Sequence, residues 1–388
     1  MRVSTVRAVN RLAARWAGAL PPDGRDTVLS ATGVWPLLAF LADGAAGPAR
    51  DELEDALGLP ADRAAEAARE LLAGLGAVRG VASAVGLWVR PDLELRAPWA
   101  AGLPAATLGR FTGDDAADQK VLDAWAAECT QGLIPSMPVT VDEETELVLA
   151  SAQAVRTSWL QPFWTHRARA GDGPWADRTI PWLHRSTSLL DRVGVAETAA
   201  GPLTVLKVLG DTGVDVHLLL GTEEAQVGAV LRAGLDVLGG GRPLLTGDRL
   251  PPGGTGPGLS VDTVPSTDRY PRLAVSMPAF SLDASHDLLA HREVFGLTTA
   301  SDTRRGHFPG VAEEPLAIAQ GRQSAMARFD AEGFVAASVT GLGMAGGGAP
   351  AAPYRIRRVR LALDRPFGFL AVHRTSRLVL TAGWVAQP

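Results

Sequence analysis

The spacing of hydrophobic and polar positions changes along the chain. Apolar residues recur every three or four positions through residues 3–20, 31–43 and 61–76, which predicts amphipathic helices early in the sequence. From residue 81 the pattern turns to that of strands, interrupted by further predicted helices, the first of them at 116–131. Helices that come early and strands that come late favour an α+β fold over alternating βαβ units.

The second half of the chain is predicted to be mostly strands. Residues 145–159 form a largely apolar run without glycine or proline, which is typical of a strand buried on both faces. The glycine- and proline-rich segment 239–258 predicts a surface loop. No interdomain linker stands out, so we expect a single domain over residues 1–388. The other predicted elements are strands near 190–197, 203–209, 214–220 and 272–282, and helices at 223–238 and near 286–294.

Composition and charge exclude several classes of protein. Of the 388 residues 46% are hydrophobic and 20% are charged, which is enough apolar surface for a large core. A net charge of −5 gives no general reason to bind nucleic acid or an anionic membrane. Nearly all basic residues are arginine, with lysine only at Lys120 and Lys207, and this usage is typical of a GC-rich bacterial genome.

The amino-terminal residues do not form the pattern of a secretory signal. Arginines at positions 2, 7, 11 and 15 interrupt any apolar core of a signal peptide. No segment reaches the roughly 18 apolar residues that a membrane-spanning helix needs. We therefore expect a cytoplasmic protein that does not bind a membrane. Cys129 is the sole cysteine, so no intramolecular disulfide is expected.

The segment 330–358, with the sequence DAEGFVAASVTGLGMAGGGAPAAPYRIRR, allows three interpretations: a cofactor loop, a linker or a segment that is cut. Its glycines at positions 341, 343 and 346 match the G-x-G-x-x-G pattern of dinucleotide-binding loops. That chemistry needs a helix directly after the glycines, because the helix amino terminus holds the pyrophosphate. Here Gly-Gly-Ala-Pro follows instead, so we expect no cofactor.

Motifs of the common enzyme classes are absent from the sequence. It contains no HExxH, P-loop or G-x-S-x-G pattern. His286 and His291 are five residues apart and would not lie on the same face of a helix, so no metal site is expected. A Ser-His-Asp triad remains open, since its members need not be neighbours in sequence. Without a sign of a nucleophile, we expect a protein that is not an enzyme.

Five segments, in their order along the chain, resemble the serpin family. The first carries Gly44-Ala45-x-Gly47 between two helices, and the second carries the pattern W-x-x-x-x-T-x-G-x-I from Trp125 to Ile134. The third ends in W-x-x-P-F, from Trp159 to Phe163. The segments are 31–59, 122–134, 147–163, 275–282 (VSMPAFSL) and 364–388, which begins DRPFGF and ends in Pro388.

This resemblance implies a fold, a partner and a mechanism. Serpins have three β-sheets, about eight or nine helices and an exposed reactive-centre loop, which would cover about 331–356 here. A serine protease cuts the loop, and the loop then inserts into the main sheet while the protease is still bound to it. The chain would act once, as a monomer, without cofactor or nucleic acid, and the resemblance also allows an extracellular location.

The resemblance assigns the beginning of this loop as a hinge. Alternate side chains of an inserted strand face the core, and the small residues here suit rapid insertion. Phe334 departs from the family pattern, which has a small residue at the first position of the loop that inserts. Overpacking costs about 1–3 kcal/mol, which would slow insertion and favour the alternative of a non-inhibitory protein whose loop is a plain substrate. The hinge residues are Glu332, Gly333, Phe334, Val335, Ala336, Ala337, Ser338 and Thr340.

The family has two polar and aromatic centres at its main sheet, called the breach and the shutter. From the sequence alone Trp159 is expected to pack in the core or at the top of a sheet, and the resemblance places it at the breach, where it would gate the loop. Beneath the sheet, Ser151 and Gln323 stand where the family usually has Asn and His, near Ser30, and Gly33 replaces a serine. The polar network of the shutter is therefore expected to be rebuilt in this chain.

Two regions of the loop are candidates for the position of the cut. The favoured region is Met344, Ala345, Gly346, Gly347 and Gly348, whose last four residues are small and would suit an elastase- or subtilisin-like protease. Arg355 would suit a trypsin-like protease instead. A cut at Arg355 would lengthen the tether by about 26 Å at about 3.3 Å per residue, and a slack tether would not distort the enzyme. We therefore favour residues 344–348.

Overall fold

The computed structural model describes residues 1–104, 108–142, 145–169, 173–176, 178–334 and 352–388. Within these residues, helical segments dominate the first third of the chain and strands the rest, and the α+β prediction is confirmed. The α-helices are α1 (Val3–Gly18), α2 (Ala31–Gly44), α3 (Gly47–Leu57), α4 (Ala61–Gly76), α5 (Ala97–Ala101), α6 (Asp115–Thr130), α7 (Val227–Gly239) and α8 (Arg292–Phe295).

The strands belong to ladders that are mostly antiparallel. They are β1 (Thr27–Leu29), β2 (Val81–Val89), β3 (Leu108–Arg110), β4 (Leu147–Val155), β5 (Thr157–Ser158), β6 (Trp164–Arg169), β7 (Thr179–Thr187), β8 (Val193–Thr198), β9 (Gly201–Leu209), β10 (Val214–Leu220), β11 (Leu245–Thr246), β12 (Gly253–Gly256), β13 (Leu259–Ser266), β14 (Arg272–Pro278), β15 (Phe280–Asp287), β16 (Arg322–Phe329), β17 (Gly333–Phe334), β18 (Tyr354–Ala362), β19 (Phe367–His373) and β20 (Leu378–Val385).

Local sequence explains how several helices begin and end. The side chain of Ser30 accepts a hydrogen bond from the backbone N–H of Gly33 and caps α2. Asp114 caps α6 in the same way, through Ala116 and Ala117. Helix α3 ends at Gly58, whose φ of 68° lies in the left-handed region that favours glycine. These caps fix the positions of the helices around the sheets.

A seven-stranded sheet forms the centre of the core, in the order β1-β20-β19-β10-β9-β8-β11. Every residue of β10 and β20 is buried, because helices cover the sheet on one side and another sheet covers it on the other. Phe367 and Phe369 on β19 are fully buried and face Phe280 of β15 at ring-centroid distances of 5.8 and 5.3 Å. The sheet therefore joins the helices to the rest of the molecule.

The sheet that carries the candidate site is divided into two parts. One part has the order β3-β2-β4 and the other has the order β15-β16-β17-β5. The two parts meet where β4 continues into β5, with only Arg156 between them. No ladder joins β4 to β16 among the described residues, so the sheet has a gap between these two strands.

A six-stranded sheet lies at the β5 end of the divided sheet, in the order β12-β13-β18-β14-β7-β6. The chain reaches it from Ser158 to Trp164 in a short connection. Strand β18 pairs with β13 on one side, antiparallel, and with β14 on the other side, parallel. This strand directly follows the predicted reactive-centre loop, so the sheet anchors the far end of that loop.

Two local predictions hold only in part. The short helix predicted near 286–294 begins later, because β15 continues to Asp287 along its partner β16; a 3-10 turn then covers Leu289–His291 and α8 covers Arg292–Phe295. The surface loop predicted over 239–258 contains β11 and β12, since β8 and β13 offer them ladders that local composition does not reveal. No helix of the described residues is long and apolar enough to cross a membrane.

Candidate functional site

The gap between β4 and β16 encloses a cavity of about 610 Å³. Its walls are the two strands, its floor includes Val34, Leu38 and Leu41 of α2, and the segment after α6 lies over it. Among the described residues, charged side chains line the cavity only at Asp142, Glu146 and Arg322. A mostly neutral, open strand position with two unpaired edges is a place where another strand can add.

A hairpin occupies the upper end of the gap. Residues 330–333 form its turn, in which the carboxylate of Asp330 accepts hydrogen bonds from the backbone N–H groups of Glu332 (3.0 Å) and Gly333 (3.1 Å). The turn reverses β16 into β17, where Phe334 lies opposite Phe329. On its other edge β17 pairs with β5, so Gly333 lies opposite Ser158 and Phe334 opposite Thr157. The first two residues of a new strand are thus already in the sheet.

Phe334 is one of the largest fully buried side chains, with 1% of its surface exposed. Its ring centroid lies 6.1 Å from that of Phe369 on the seven-stranded sheet. The ring therefore already occupies the core position where the sequence analysis expected it to need room. The predicted slowing of insertion stays a prediction, but in this structure the ring has no further distance to travel.

We expect Phe334→Ala to lower the free energy of unfolding of the intact protein by about 3–5 kcal/mol, as large-to-small substitutions of buried aromatic residues do. Urea denaturation measures it. Leu160→Ala is the matched control, because Leu160 is 60% exposed and its loss should change the stability by less than about 0.5 kcal/mol. A loss below about 1 kcal/mol for Phe334→Ala would show that the ring is not packed in the core.

Trp159 holds the hairpin turn in place. Its indole Nε1 donates to the backbone oxygen of Asp330 (2.9 Å), and its backbone N–H donates to the oxygen of Glu332 (2.7 Å). The indole packs on Phe329 with ring centroids 4.5 Å apart. Phe163 adds a further backbone hydrogen bond, to the oxygen of Ala331 (2.8 Å). Trp159 thus lies directly beside the point where the chain leaves β16 and turns into the gap.

Ser30 and Gln323 form a polar cluster under the middle of the gap. The amide of Gln323 binds the backbone of Ser30 at both ends: Nε2 donates to the Ser30 oxygen and Oε1 accepts from the Ser30 N–H, both at 2.9 Å. This pair ties β16 to the start of α2 across the sheet. The Ser30 Oγ lies 2.8 Å from the backbone oxygen of Leu380, which connects the cluster to β20.

Ser151 joins the cluster because position 33 is glycine. A β-carbon on Gly33 would lie 3.2 Å from the Ser151 Oγ and 3.4 Å from the Gln323 Nε2. The missing side chain leaves space between the walls of the gap, and the three predicted residues Ser30, Ser151 and Gln323 meet around it. The structure does not bring Trp159 into this cluster: it lies at the hairpin turn instead.

Gln153 is a member of the cluster that the sequence analysis missed. The hydroxyl of Ser30 donates to its Oε1 at 2.6 Å. The Gln153 Nε2 is buried and has no hydrogen-bond partner among the described residues. A buried, unpaired amide costs free energy, and it lines the cavity. The signal in the sequence was a polar residue within the apolar run 147–155, two positions from Ser151.

Most of the predicted loop lies outside the described residues. This applies to the hinge positions after Phe334, which are Val335, Ala336, Ala337, Ser338 and Thr340, and to the predicted cut region of Met344, Ala345, Gly346, Gly347 and Gly348. The alternative cut residue Arg355 is exposed and lies on β18 opposite Pro265. It is therefore part of a ladder rather than of a free loop.

Comparison with known protein families gives one match over most of the chain. The family model described as Serpin (serine protease inhibitor) matches residues 7–172 and 261–388. Among curated proteins, serpin-Z6C of rice (Oryza sativa subsp. japonica) is 28% identical over 397 aligned residues, which cover 93% of this chain and 90% of the rice protein. Plasminogen activator inhibitor 1 of mouse (Mus musculus) is 24% identical and covers 94% of this chain and 87% of its own length. The prediction of a bacterial source stays a prediction.

Solved structures confirm the predicted fold. Human thyroxine-binding globulin, in a crystal structure with its thyroid hormone, superposes with a TM-score of 0.75 at 17% sequence identity. The superposition covers 100% of this chain and 98% of the globulin. A second structure of thyroxine-binding globulin with thyroxine gives a TM-score of 0.74 at 18% identity. At this level of identity the similarity concerns the fold alone.

Proposed function

Because the chain belongs to the serpin family of protease inhibitors, we propose that it inhibits a serine protease as a single-use substrate whose cut loop fills the gap between β4 and β16. The observation that carries the proposal is the hairpin at the upper end of the gap, in which Phe334 pairs with β16 on one edge and Gly333 and Phe334 pair with β5 on the other. The residues that follow need only continue the same strand.

The register of β17 predicts where each later residue would lie. Phe334 is opposite Thr157, and β17 is antiparallel to β5, so each step along the loop moves one step back along β5 and β4. Continued in this way, Ala336 would lie opposite Val155, and Met344 would lie opposite Leu147, the first residue of β4. The gap therefore has the length of a strand that ends at Met344.

The side chains that meet in this register match in polarity. With Phe334 facing the core, the residues at every second position would face the core too. Ser338 would lie opposite Gln153, whose buried amide nitrogen has no partner among the described residues. Thr340 would lie between Ser151 and Gln323, the polar pair of the cluster. Further down, Leu342 and Met344 would lie opposite Leu149 and Leu147, which are apolar.

The length of the gap, which fits a strand ending at Met344, favours a cut at residues 344–348. A cut there leaves a tether that ends close to the end of β4, so insertion carries an attached protease to the far end of the sheet. Arg355 is a poorer site, because it is paired with Pro265 on β13 and a protease binds its substrate as an extended free segment. Small residues at the favoured site indicate an elastase- or subtilisin-like protease, with a trypsin-like protease as the alternative.

The chemistry of the proposal belongs to the protease, and this chain supplies the bond and the driving force. The serine oxygen of the protease attacks the carbonyl carbon at the cut site, and the C–N bond breaks. The amine departs with a proton as the new amino terminus of the downstream segment. The upstream segment stays bound as an ester, and its insertion competes with hydrolysis by water.

A gel experiment tests the proposed function. The protein is mixed with subtilisin, elastase and trypsin in turn, over a range of ratios, and separated under denaturing conditions. We expect a covalent adduct whose mass is that of the protease plus the chain up to the cut, with at least one of the three enzymes. Cleaved chain without adduct at every ratio, with each enzyme, would contradict the proposal.

A second candidate function is a non-inhibitory serpin whose loop is cut as a plain substrate. The observation that favours it is Phe334, a bulky residue at the first inserted position of the loop, which departs from the small residue typical of inhibitory members. The same gel decides between the two functions, because a plain substrate gives the cleaved chain and free, active protease.

A further inference from the structure

Strand β18 lies between two strands that are consecutive in the chain. Strand β13 pairs with it along its length, from Leu259 opposite Leu361 to Ser266 opposite Tyr354. The chain then crosses to the other side of β18 through residues 267–271 and returns as β14, where Arg272 lies opposite Arg358. The hairpin β13–β14 is thus split, with β18 held inside it. We call β12, β13 and residues 267–271 the clasp.

The crossing lies at the end of β18 that the loop would pull. Because β13 is antiparallel to β18, it ends beside Tyr354, the first residue of β18 after the loop. Residues 267–271 therefore pass across the strand at the point where any traction from the loop begins. Within the crossing, the Ser266 Oγ accepts from the backbone N–H of Asp268 at 3.0 Å, and Arg269 lies over the ring of Tyr270.

Side chains fasten β18 to the clasp on both faces. On one face, Arg358 donates two hydrogen bonds to the carboxylate of Asp262, at 2.6 and 3.0 Å, and Arg360 lies 3.5 Å from the same carboxylate. Bidentate pairs of this kind are the strongest among side-chain hydrogen bonds. On the other face, Val261 and Val359 are register partners and are both buried. Pulling β18 out would break all of these contacts.

Filling the gap without a cut would require β18 to leave its sheet. The strand 335–344 would span about 33 Å at about 3.3 Å per residue, away from the six-stranded sheet. Residues 345–353 would have to return from its far end, and nine extended residues reach at most about 32 Å. These nine residues would be used up in returning along the inserted strand, so none would remain to pass around the sheet to Tyr354. Insertion of the whole loop therefore has to unpair β18, starting under the crossing.

We infer that the clasp is a lock that keeps the uncut loop out of the gap and so preserves the inhibitor until a protease cuts it. The inference rests on the proposed function. Strand β12 and the first two residues of β13 lie outside the part of the chain that matches the family model, whereas Val261, Asp262 and the crossing lie inside it, because the match resumes at residue 261. Cutting the loop frees its upstream part from β18 altogether, so the clasp leaves the inhibitory reaction untouched.

The test loosens the clasp and follows the uncut protein. The double variant Val261→Ala/Asp262→Ala removes a buried contact and the carboxylate that both Arg358 and Arg360 approach. Asp302→Ala is the control, because it removes the partner of Arg304 (2.8 Å) away from β18. Each protein is incubated just below its melting temperature. Conversion is read as an uncut chain with a raised melting temperature and a loop that subtilisin no longer cuts. We expect the double variant to convert at least tenfold faster than wild type, as for a barrier lowered by about 1.4 kcal/mol, and the control to behave as wild type.

A second protein keeps the test decisive if the double variant does not fold. Residues 267–271 are replaced by the recognition site of a sequence-specific processing protease, and the folded protein is compared before and after this crossing is cut. Faster conversion after the cut supports the clasp. Equal rates before and after, or a wild type that converts as fast as the loosened proteins, would overturn it. Wild-type protein cut in its loop is measured in parallel. If this cut does not raise the melting temperature, the proposed insertion is contradicted. If it raises the melting temperature but the loosened proteins do not convert, only the clasp is contradicted.

Discussion

A cut between Met344 and Gly348 is expected to raise the melting temperature of the protein by at least about 10 °C, although one peptide bond has been lost. Among the described residues no strand lies between β4 and β16, and the proposed cut would free the residues that fit this position. Burial of an apolar side chain contributes about 1.5–3 kcal/mol, and Val339, Leu342 and Met344 would all leave water. About 5 kcal/mol of net gain, at about 2 °C per kcal/mol for a chain of this size, gives the expected shift.

Differential scanning calorimetry of intact and loop-cut protein measures this shift. The cut is made with a small amount of subtilisin, and mass spectrometry locates it. The matched control is a chain cut elsewhere, in an engineered site within the exposed segment 239–242, which frees no residues that could enter the gap. That cut should leave the melting temperature unchanged or lower it. An equal or lower melting temperature after the loop cut would contradict both the vacant strand position and the proposed mechanism.

The fold was largely predictable because its elements carry local signals. Strand 214–220 was predicted with the bounds that β10 has, since five of its seven residues are apolar and it is flanked by glycines. Helix 31–43 was predicted to within one residue, because its apolar pattern ends at Gly44. The strand 145–159 is interrupted only at Arg156, between β4 and β5. In each case the local preference and the tertiary position of the segment agree.

The parts that could not be predicted depend on contacts between distant residues. Strand β12 is composed of Gly-Gly-Thr-Gly, which has no strand preference of its own and forms a strand only because β13 offers it a ladder. The register that places Phe334 opposite Thr157 likewise depends on residues far apart in sequence, so it was not visible that the ring is buried already in the uncut protein. Gln153 was missed because its hydrogen-bond partner, Ser30, comes from a segment far away in the sequence.

The substitution Thr340→Arg is expected to slow insertion of the loop strongly, because residue 340 would meet the polar cluster under the gap. In the projected register residue 340 faces the core between Ser151 and Gln323, and neither side chain carries a charge that could pair with a guanidinium. An unpaired buried charge costs several kcal/mol, and each 1.36 kcal/mol added to the insertion barrier slows insertion tenfold. Insertion should therefore slow at least about 100-fold, and hydrolysis of the ester should win.

The expected result of Thr340→Arg is a protein that is cut at the same bond and at the same rate, but that forms no adduct and releases active protease. Titration of subtilisin or elastase activity, together with denaturing gels, measures both parts. Ala352→Arg is the control, because it adds the same charge in the exposed segment beyond the projected strand and should still form the adduct. If Thr340→Arg forms as much adduct as the control, the loop does not enter the gap in the register of β17, and Ser151, Gln153 and Gln323 do not receive it.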